Sequence, residues 1–133
     1  MLMMIGMMKK RMIGKMNNFN DIFNKQLEFQ QMLCNNIGYG EKLFMTLPKD
    51  KPELVSYHIQ QLISEIGEVL QADKRWKNFR NDHIDMVNKK EEIADCFIVL
   101  MNIALYSGMD ADELYKTISD KINENFERVK REA

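Results

Sequence analysis

Among its 133 residues the chain has only two cysteines and two prolines, and it has no charge of one sign to spare, with 19 lysines and arginines against 20 aspartates and glutamates. Each shortage removes a class of protein. Cys34 and Cys96 both stand beside apolar neighbours in helical segments, which suits buried free thiols in a reducing cytoplasm better than a disulfide framework. No CxxC or HExxH occurs, and His58 and His83 add no further ligand pattern, so no zinc site is expected. The near-neutral balance offers no field to a nucleic acid or to an anionic membrane surface. The apolar stretch at the amino terminus is far shorter than the roughly 20 residues that cross a bilayer.

What is present suits one helical domain. Apolar residues make up 45% and charged residues 29% of the chain, an ordinary balance for a globular domain with a real core. The first sixteen residues stand apart, because they hold seven of the twelve methionines and show neither a helix face nor strand alternation. Lys9, Lys10 and Arg11 follow the apolar run rather than precede it, which is the wrong order for a secretory signal. Residues 1–16 therefore read as a methionine-rich extension, translated from upstream of a start at Met16, and residues 17–133 as the domain.

Three capping-box patterns, a polar residue followed three places later by glutamate, mark helix starts. Asp50 with Glu53 opens a segment toward Ala72, Asn88 with Glu91 one toward Ser107, and Asp110 with Glu113 one toward Glu132. An earlier helix is expected from Asn20 to about Asn36. Gly38, Gly40, Pro48 and Pro52 mark the first connection, and Gly108 is placed to end the third helix. The expected fold is all-α, a four-helix bundle-like domain. A loop from about Asp73 to Val87, carrying Lys74, Arg75, Trp76, Lys77, Phe79 and Arg80, separates the second and third helices. A connection of that length is either functional or a solvated basic turn.

The chemistry lies in two acidic pairs at i,i+3 spacing, Glu65 with Glu68 and Glu92 with Asp95. Residues three apart share a helix face, so each segment presents two carboxylates side by side. In the second helix Val55, Ile59, Leu62, Ile66 and Val69 define a core face, with Gln61, Glu65 and Glu68 along its edge. The third helix is apolar on almost every side, from Ile93 through Leu105, and a helix of that kind is expected to be buried. On it Glu92, Asp95 and Asn102 form one stripe that needs polar partners. Four carboxylates converging in an apolar setting repel one another, and a hard divalent cation, Mg2+ or Mn2+, would compensate them while leaving sites for substrate phosphates. A di-iron site expects Glu-x-x-His twice, and neither histidine follows a glutamate at that spacing. In the fourth helix Lys121, Asn125 and Arg128 share a face that could grip phosphate oxygens, although charge-mixed faces of this kind are usually just solvated.

The run Ser64-Glu65-Ile66-Gly67-Glu68 followed by Glu91-Glu92-Ile93-Ala94-Asp95 resembles the ExxE and ExxD motifs of the all-α nucleoside triphosphate pyrophosphohydrolases, which include MazG-like enzymes and the dimeric dUTP pyrophosphatases. The resemblance extends over roughly Phe19 to Arg131. It implies Mg2+ held by Glu65, Glu68, Glu92 and Asp95, with Glu65 orienting or deprotonating the attacking water, and phosphate held by Lys121, Asn125 and Arg128. Trp76-Lys77-Asn78-Phe79 is similar to the aromatic and lysine stretch of the dimeric dUTP pyrophosphatases, and Leu27-Glu28-Phe29-Gln30-Gln31 to their first-helix glutamine segment. Gln30 could then hydrogen-bond a base, and Trp76 pack against it. The implied reaction is hydrolysis of a nucleoside triphosphate, dUTP first, to the monophosphate and pyrophosphate, by a homodimer or homotetramer. The alternatives are a MazG-like or dCTP-directed enzyme, and a noncatalytic helical module whose acidic stripes pair with Lys and Arg to fix bundle register.

Overall fold

The computed structural model describes residues 16–37, 51–76 and 84–132, apart from the side chains of 34–37. They form four helices, α1 (Phe19–Ile37), α2 (Pro52–Ala72), α3 (Met86–Tyr106) and α4 (Ala111–Glu132), with a 3-10 turn over Lys74–Trp76 after α2. No strand occurs among the described residues. The all-α expectation holds. Residues 1–15, Gly38, Gly40, Pro48, Lys77, Phe79, Arg80 and His83 lie outside the described residues.

Local chemistry explains the helix ends. The Asp110 side chain accepts from the Glu113 backbone N–H at 2.8 Å, as its spacing predicts, and Asn18 does the same for Asp21 at 2.9 Å. At α3 the expectation is corrected. Asp85, not Asn88, is the cap, and it accepts from the Asn88 N–H at 3.0 Å. A carboxylate three residues upstream satisfies the earlier donors and faces the positive end of the helix dipole, so the helix starts sooner. At α2 the cap is Lys51 and no side chain caps it, while Asp50 lies outside the described residues. Pro52 supplies a preset φ and removes one orphan donor, and the Lys51 N–H donates to the Tyr106 carbonyl at 2.6 Å.

The end of α3 is a Schellman motif. Met109 N–H donates to Ala104 O at 3.0 Å and Gly108 N–H to Leu105 O at 3.1 Å, with Gly108 at φ 88°. That φ is open to glycine and strained by about 1–2 kcal/mol for other L-residues. The reversal turns the chain into α4 and seats Met109 against the core.

Two ties at opposite ends make α2 and α3 an antiparallel pair. Lys51 at the start of α2 bonds Tyr106 at the end of α3, and Asp73 at the end of α2 pairs with Lys89 near the start of α3 at 2.7 Å. Asp73 also receives Nε and Nη2 of Arg75, at 2.9 and 2.7 Å. Arg75 first, then Lys89, holds its carboxyl well below the usual carboxylate range. A depressed pKa contributes stability above the unfolded value, about 3.9, and that contribution fades as pH falls through the folded value. Asp73→Asn is therefore expected to lower the melting temperature near neutral pH and to shrink that deficit as pH drops below about 4. Thermal melts of both proteins across pH 2–7 check this.

The core lies where α1, the end of α3 and the start of α4 meet. Phe23, Met101, Ala104, Leu105 and Ala111 form it, with Phe19, Leu27, Met109 and Leu114 packed around them. Asn20 Nδ2 donates to Asp112 Oδ1 at 2.6 Å and pins the starts of α1 and α4 together. Past that junction α4 runs exposed, with only Ser119 partly covered between Lys116 and Glu132.

Two packing expectations are corrected. The buried residues of α2 are Leu54, His58 and Ala72, whereas Ile59 and Ile66 of the expected core face are 44% and 49% exposed. On α3 only Val99 and the segment from Met101 to Tyr106, Ile103 excepted, are buried, and Phe97 is 64% exposed. The reason is that the α2–α3 pair has α1 on one side and nothing from the described chain on the other.

Candidate functional site

Three helices line an open cavity of about 360 Å³. Helix α1 contributes Gln26, Phe29, Gln30 and Leu33, α2 contributes Tyr57, His58, Gln61 and Glu65, and α3 contributes Asp95, Ile98, Val99 and Asn102. The i,i+3 and i,i+4 spacings within each set put those side chains on one helix face. The buried part of the lining is Gln30, His58, Val99 and Asn102, while Phe29, Tyr57 and the Asp95 carboxylate stand exposed at its edge.

The carboxylates belong to the acidic stripes. Glu65, Glu92 and Asp95 each offer an oxygen, and these atoms lie within 4.8 Å of one another. Glu65 and Glu92 are half-buried and Asp95 is exposed. Burial first, then the charges of Asp95, Glu68, Glu65 and Glu91, push the Glu92 carboxyl above its ordinary range. The same three carboxylates, after burial, raise the Cys96 thiol. None of the four stripe carboxylates has a salt bridge among the described residues, where the ion pairs are all elsewhere. An all-oxygen donor set with this uncompensated charge fits Mg2+ or Mn2+, which prefer carboxylates and retain waters. Glu68 is exposed and contributes to the field on Glu92 without joining the three-oxygen group.

At the inner end three polar side chains are almost fully buried, His58 at 4%, Asn102 at 4% and Gln30 at 7% exposure. Tyr106 OH donates to Gln30 Oε1 at 2.7 Å, and Gln26 Nε2 donates to Asn102 Oδ1 at 2.8 Å. His58 Nδ1 lies 2.8 Å from the Leu54 carbonyl. A carbonyl only accepts, so Nδ1 carries the proton. Burial pushes the ring's pKa down and keeps it neutral. The imidazole stacks on Tyr106, with centroids 4.9 Å apart, and meets Tyr57 edge-on at 5.0 Å.

The structure therefore brings Gln30, Glu65, Asp95 and Asn102 to one cavity, with Glu92 completing the carboxylate group. It does not bring the others there. Trp76 stands at the far end of α2, its Nε1 donating to Leu70 O at 2.8 Å, and Lys77 lies outside the described residues. Lys121, Asn125 and Arg128 lie on the exposed part of α4, where Lys121 pairs with Glu124 at 3.2 Å and Arg128 Nη2 donates to Asn125 Oδ1 at 2.8 Å. The aromatic residues beside the cavity are Phe29 and Tyr57, not Trp76.

Sequence reasoning missed Gln26, Tyr57 and His58. Gln26 was legible in principle, one turn before Gln30 on the same face of α1. His58 was not, because an isolated histidine carries no spacing signal until the helices that surround it are placed. Comparison with family models, with curated proteins and with solved structures found no match to this chain.

Proposed function

We propose that the chain is a magnesium-dependent nucleoside triphosphate pyrophosphohydrolase of the all-α kind, acting on dUTP in preference to other nucleotides and releasing pyrophosphate. One observation carries this reading. The carboxylate group and the amide-lined cavity share Glu65 and Asp95, so an acidic end and a hydrogen-bonding end form one continuous site. A nucleotide has that same polarity, anionic at one end and a flat hydrogen-bonding ring at the other. Its charge distribution complements the site only if cations accompany it.

Glu65, Glu92 and Asp95 would hold Mg2+, or Mn2+, with Glu68 adding charge at the rim. When bound, the metal would neutralise phosphoryl charge and lower the pKa of a water. Glu65, half-buried and common to both ends, is placed to orient that water or take its proton. Phe29 and Tyr57 flank the base, and Gln30 and Asn102 offer it hydrogen bonds. The phosphate contacts of Lys121, Asn125 and Arg128 are assigned to a second copy, since within one chain these residues stand away from the cavity.

A second copy also fits the exposed apolar surface. Ile59, Ile63, Ile66 and Leu70 of α2 are 44–66% exposed at offsets of 4, 3 and 4, and Ile93, Phe97 and Leu100 of α3 are 39–64% exposed at 4 and 3. Alternation of 3 and 4 is the seam spacing of packed helix bundles. Counted at about 100° per residue, each stripe lies roughly 150–180° around its helix from that helix's cavity-lining residues. That side is opposite the cavity. The stripes run about 16 Å along α2 and about 10 Å along α3. Phe97→Glu is expected to shift the protein to monomer, read by sedimentation velocity.

A noncatalytic module would pair its acidic stripes with Lys or Arg, and no such pairing exists among the described residues. The test of the enzyme reading is a panel of nucleoside and deoxynucleoside triphosphates incubated with the protein and Mg2+, with pyrophosphate measured. Metal-dependent release, highest for dUTP, is expected. Its absence from every nucleotide would refute the reading, and calorimetry showing no Mg2+ binding would place the chain among helical interaction modules instead.

A further inference from the structure

The inner end of the cavity holds hydrogen-bonding atoms that the fold buries without satisfying. Buried polar groups in native structures are almost always paired, so each exception marks a place prepared for something else. Among the described residues three such atoms come together. Gln30 gives its Oε1 to Tyr106 and keeps its Nε2 hydrogens unpaired. Asn102 gives its Oδ1 to Gln26 and keeps its Nδ2 hydrogens unpaired. His58 commits Nδ1–H to Leu54 and keeps the Nε2 lone pair. All three residues are more than nine-tenths buried and line the same cavity.

These atoms are not interchangeable. Gln30 and Asn102 are left as donors, whereas His58 Nε2 is an acceptor, because the neutral ring has only one N–H and Leu54 holds it. Tyr106 sets two of the three. Its hydroxyl fixes which end of the Gln30 amide faces the cavity, and its ring, stacked on His58 at 22°, helps hold the imidazole plane. A ring that meets Gln30 and Asn102 with acceptors and His58 Nε2 with a donor between them carries that donor in the middle of its edge. The imide edge of a 2,4-dioxopyrimidine does so, with an N–H between two carbonyls. Cytosine presents two acceptors and an amine, with a bare lone pair at ring N3, where His58 Nε2 would meet it as acceptor against acceptor.

Resting on the nucleotide reading above, we infer that His58 is the specificity-determining residue of this site, its Nε2 accepting the N3–H of a uracil ring while Gln30 and Asn102 donate to the flanking carbonyls. Tyr106 is a positioning residue that acts through Gln30 and His58. Selection against cytosine then comes from a buried polar mismatch, which discriminates far more strongly than a lost contact alone.

The experiment compares dUTP, dCTP and N3-methyl-dUTP as substrates of the wild-type protein and of His58→Phe, which keeps a stacked ring and removes the acceptor. Wild type is expected to favour dUTP over both others by at least about 30-fold in kcat/KM. In His58→Phe, dUTP should fall by about 10- to 100-fold, mainly through KM, while N3-methyl-dUTP changes little and the preference collapses. His58→Gln, which restores an acceptor, should recover part of it. Equal wild-type turnover of dUTP and N3-methyl-dUTP overturns the assignment of His58 and leaves the nucleotide reading standing, and a preference for dCTP overturns both that assignment and the dUTP preference while leaving the pyrophosphohydrolase activity. No turnover of any nucleotide overturns both. Should His58→Phe misfold by circular dichroism, the wild-type comparison of dUTP with its N3-methyl analogue decides alone.

Discussion

Glu65→Gln is expected to abolish Mg2+-dependent pyrophosphate release, lowering kcat by about 10³-fold or more, while the helical circular dichroism spectrum stays unchanged. The substitution keeps side-chain volume and removes one full charge, an oxygen that would ligate the proposed metal, and the basicity needed to accept a proton. Glu65 occupies the junction of the carboxylate group and the cavity, so all three losses fall on one position. Stability should not suffer. Glu65 has no salt bridge among the described residues to lose, and its charge contributes to the repulsion that raises Glu92. A protein less active and equally or more stable without metal is therefore the expected signature, and unchanged turnover would remove Glu65 from the mechanism.

Leu105→Ala is expected to cost about 3–5 kcal/mol of folding stability. Leu105 is 0% exposed in the cluster where α1, α3 and α4 meet, alongside Phe23, Met101, Ala104 and Ala111. Removing its branched end leaves a void that these neighbours, on three different helices, would fill only in part. A small domain has about 5–15 kcal/mol in total, so urea denaturation should show a large fall in midpoint. The effect should reach function too. Leu105 lies three residues from Asn102 and next to Tyr106, and loosening this junction frees α1, which carries Gln26 and Gln30. Activity that tracked stability through a temperature series would confirm that the core acts by holding the cavity together.

Helix content was largely legible. The Asp110–Glu113 box, the Gly108 stop and the 3.6-residue periodicity are local signals, and local backbone chemistry obeys them in any tertiary setting. Helix α3 starts ahead of the Asn88–Glu91 box for an equally local reason, since the Asp85 carboxylate accepts from the Asn88 N–H and its charge faces the positive end of the helix. Periodicity could not say which of two adjacent apolar stripes on α2 faces α3, because both repeat every 3.6 residues. Leu54 and His58 face inward, while Ile59 and Ile66 lie along the outer stripe.

The two acidic pairs were visible as spacing on single helices, but their meeting was not, because 27 positions separate Glu65 from Glu92 along the chain. By itself the sequence determined four helices, the cap of the last of them at Asp110, and which carboxylates would share a helix face, since each of those follows from neighbours within one or two turns. Tertiary structure alone decided that Glu65, Glu92 and Asp95 converge, and that Trp76 and the Lys121 face lie elsewhere. It alone also made His58 a buried neutral acceptor beside Gln30 and Asn102. These outcomes depend on how helices distant in sequence rotate and cross, and that choice is set by packing summed over the whole chain rather than by any one segment.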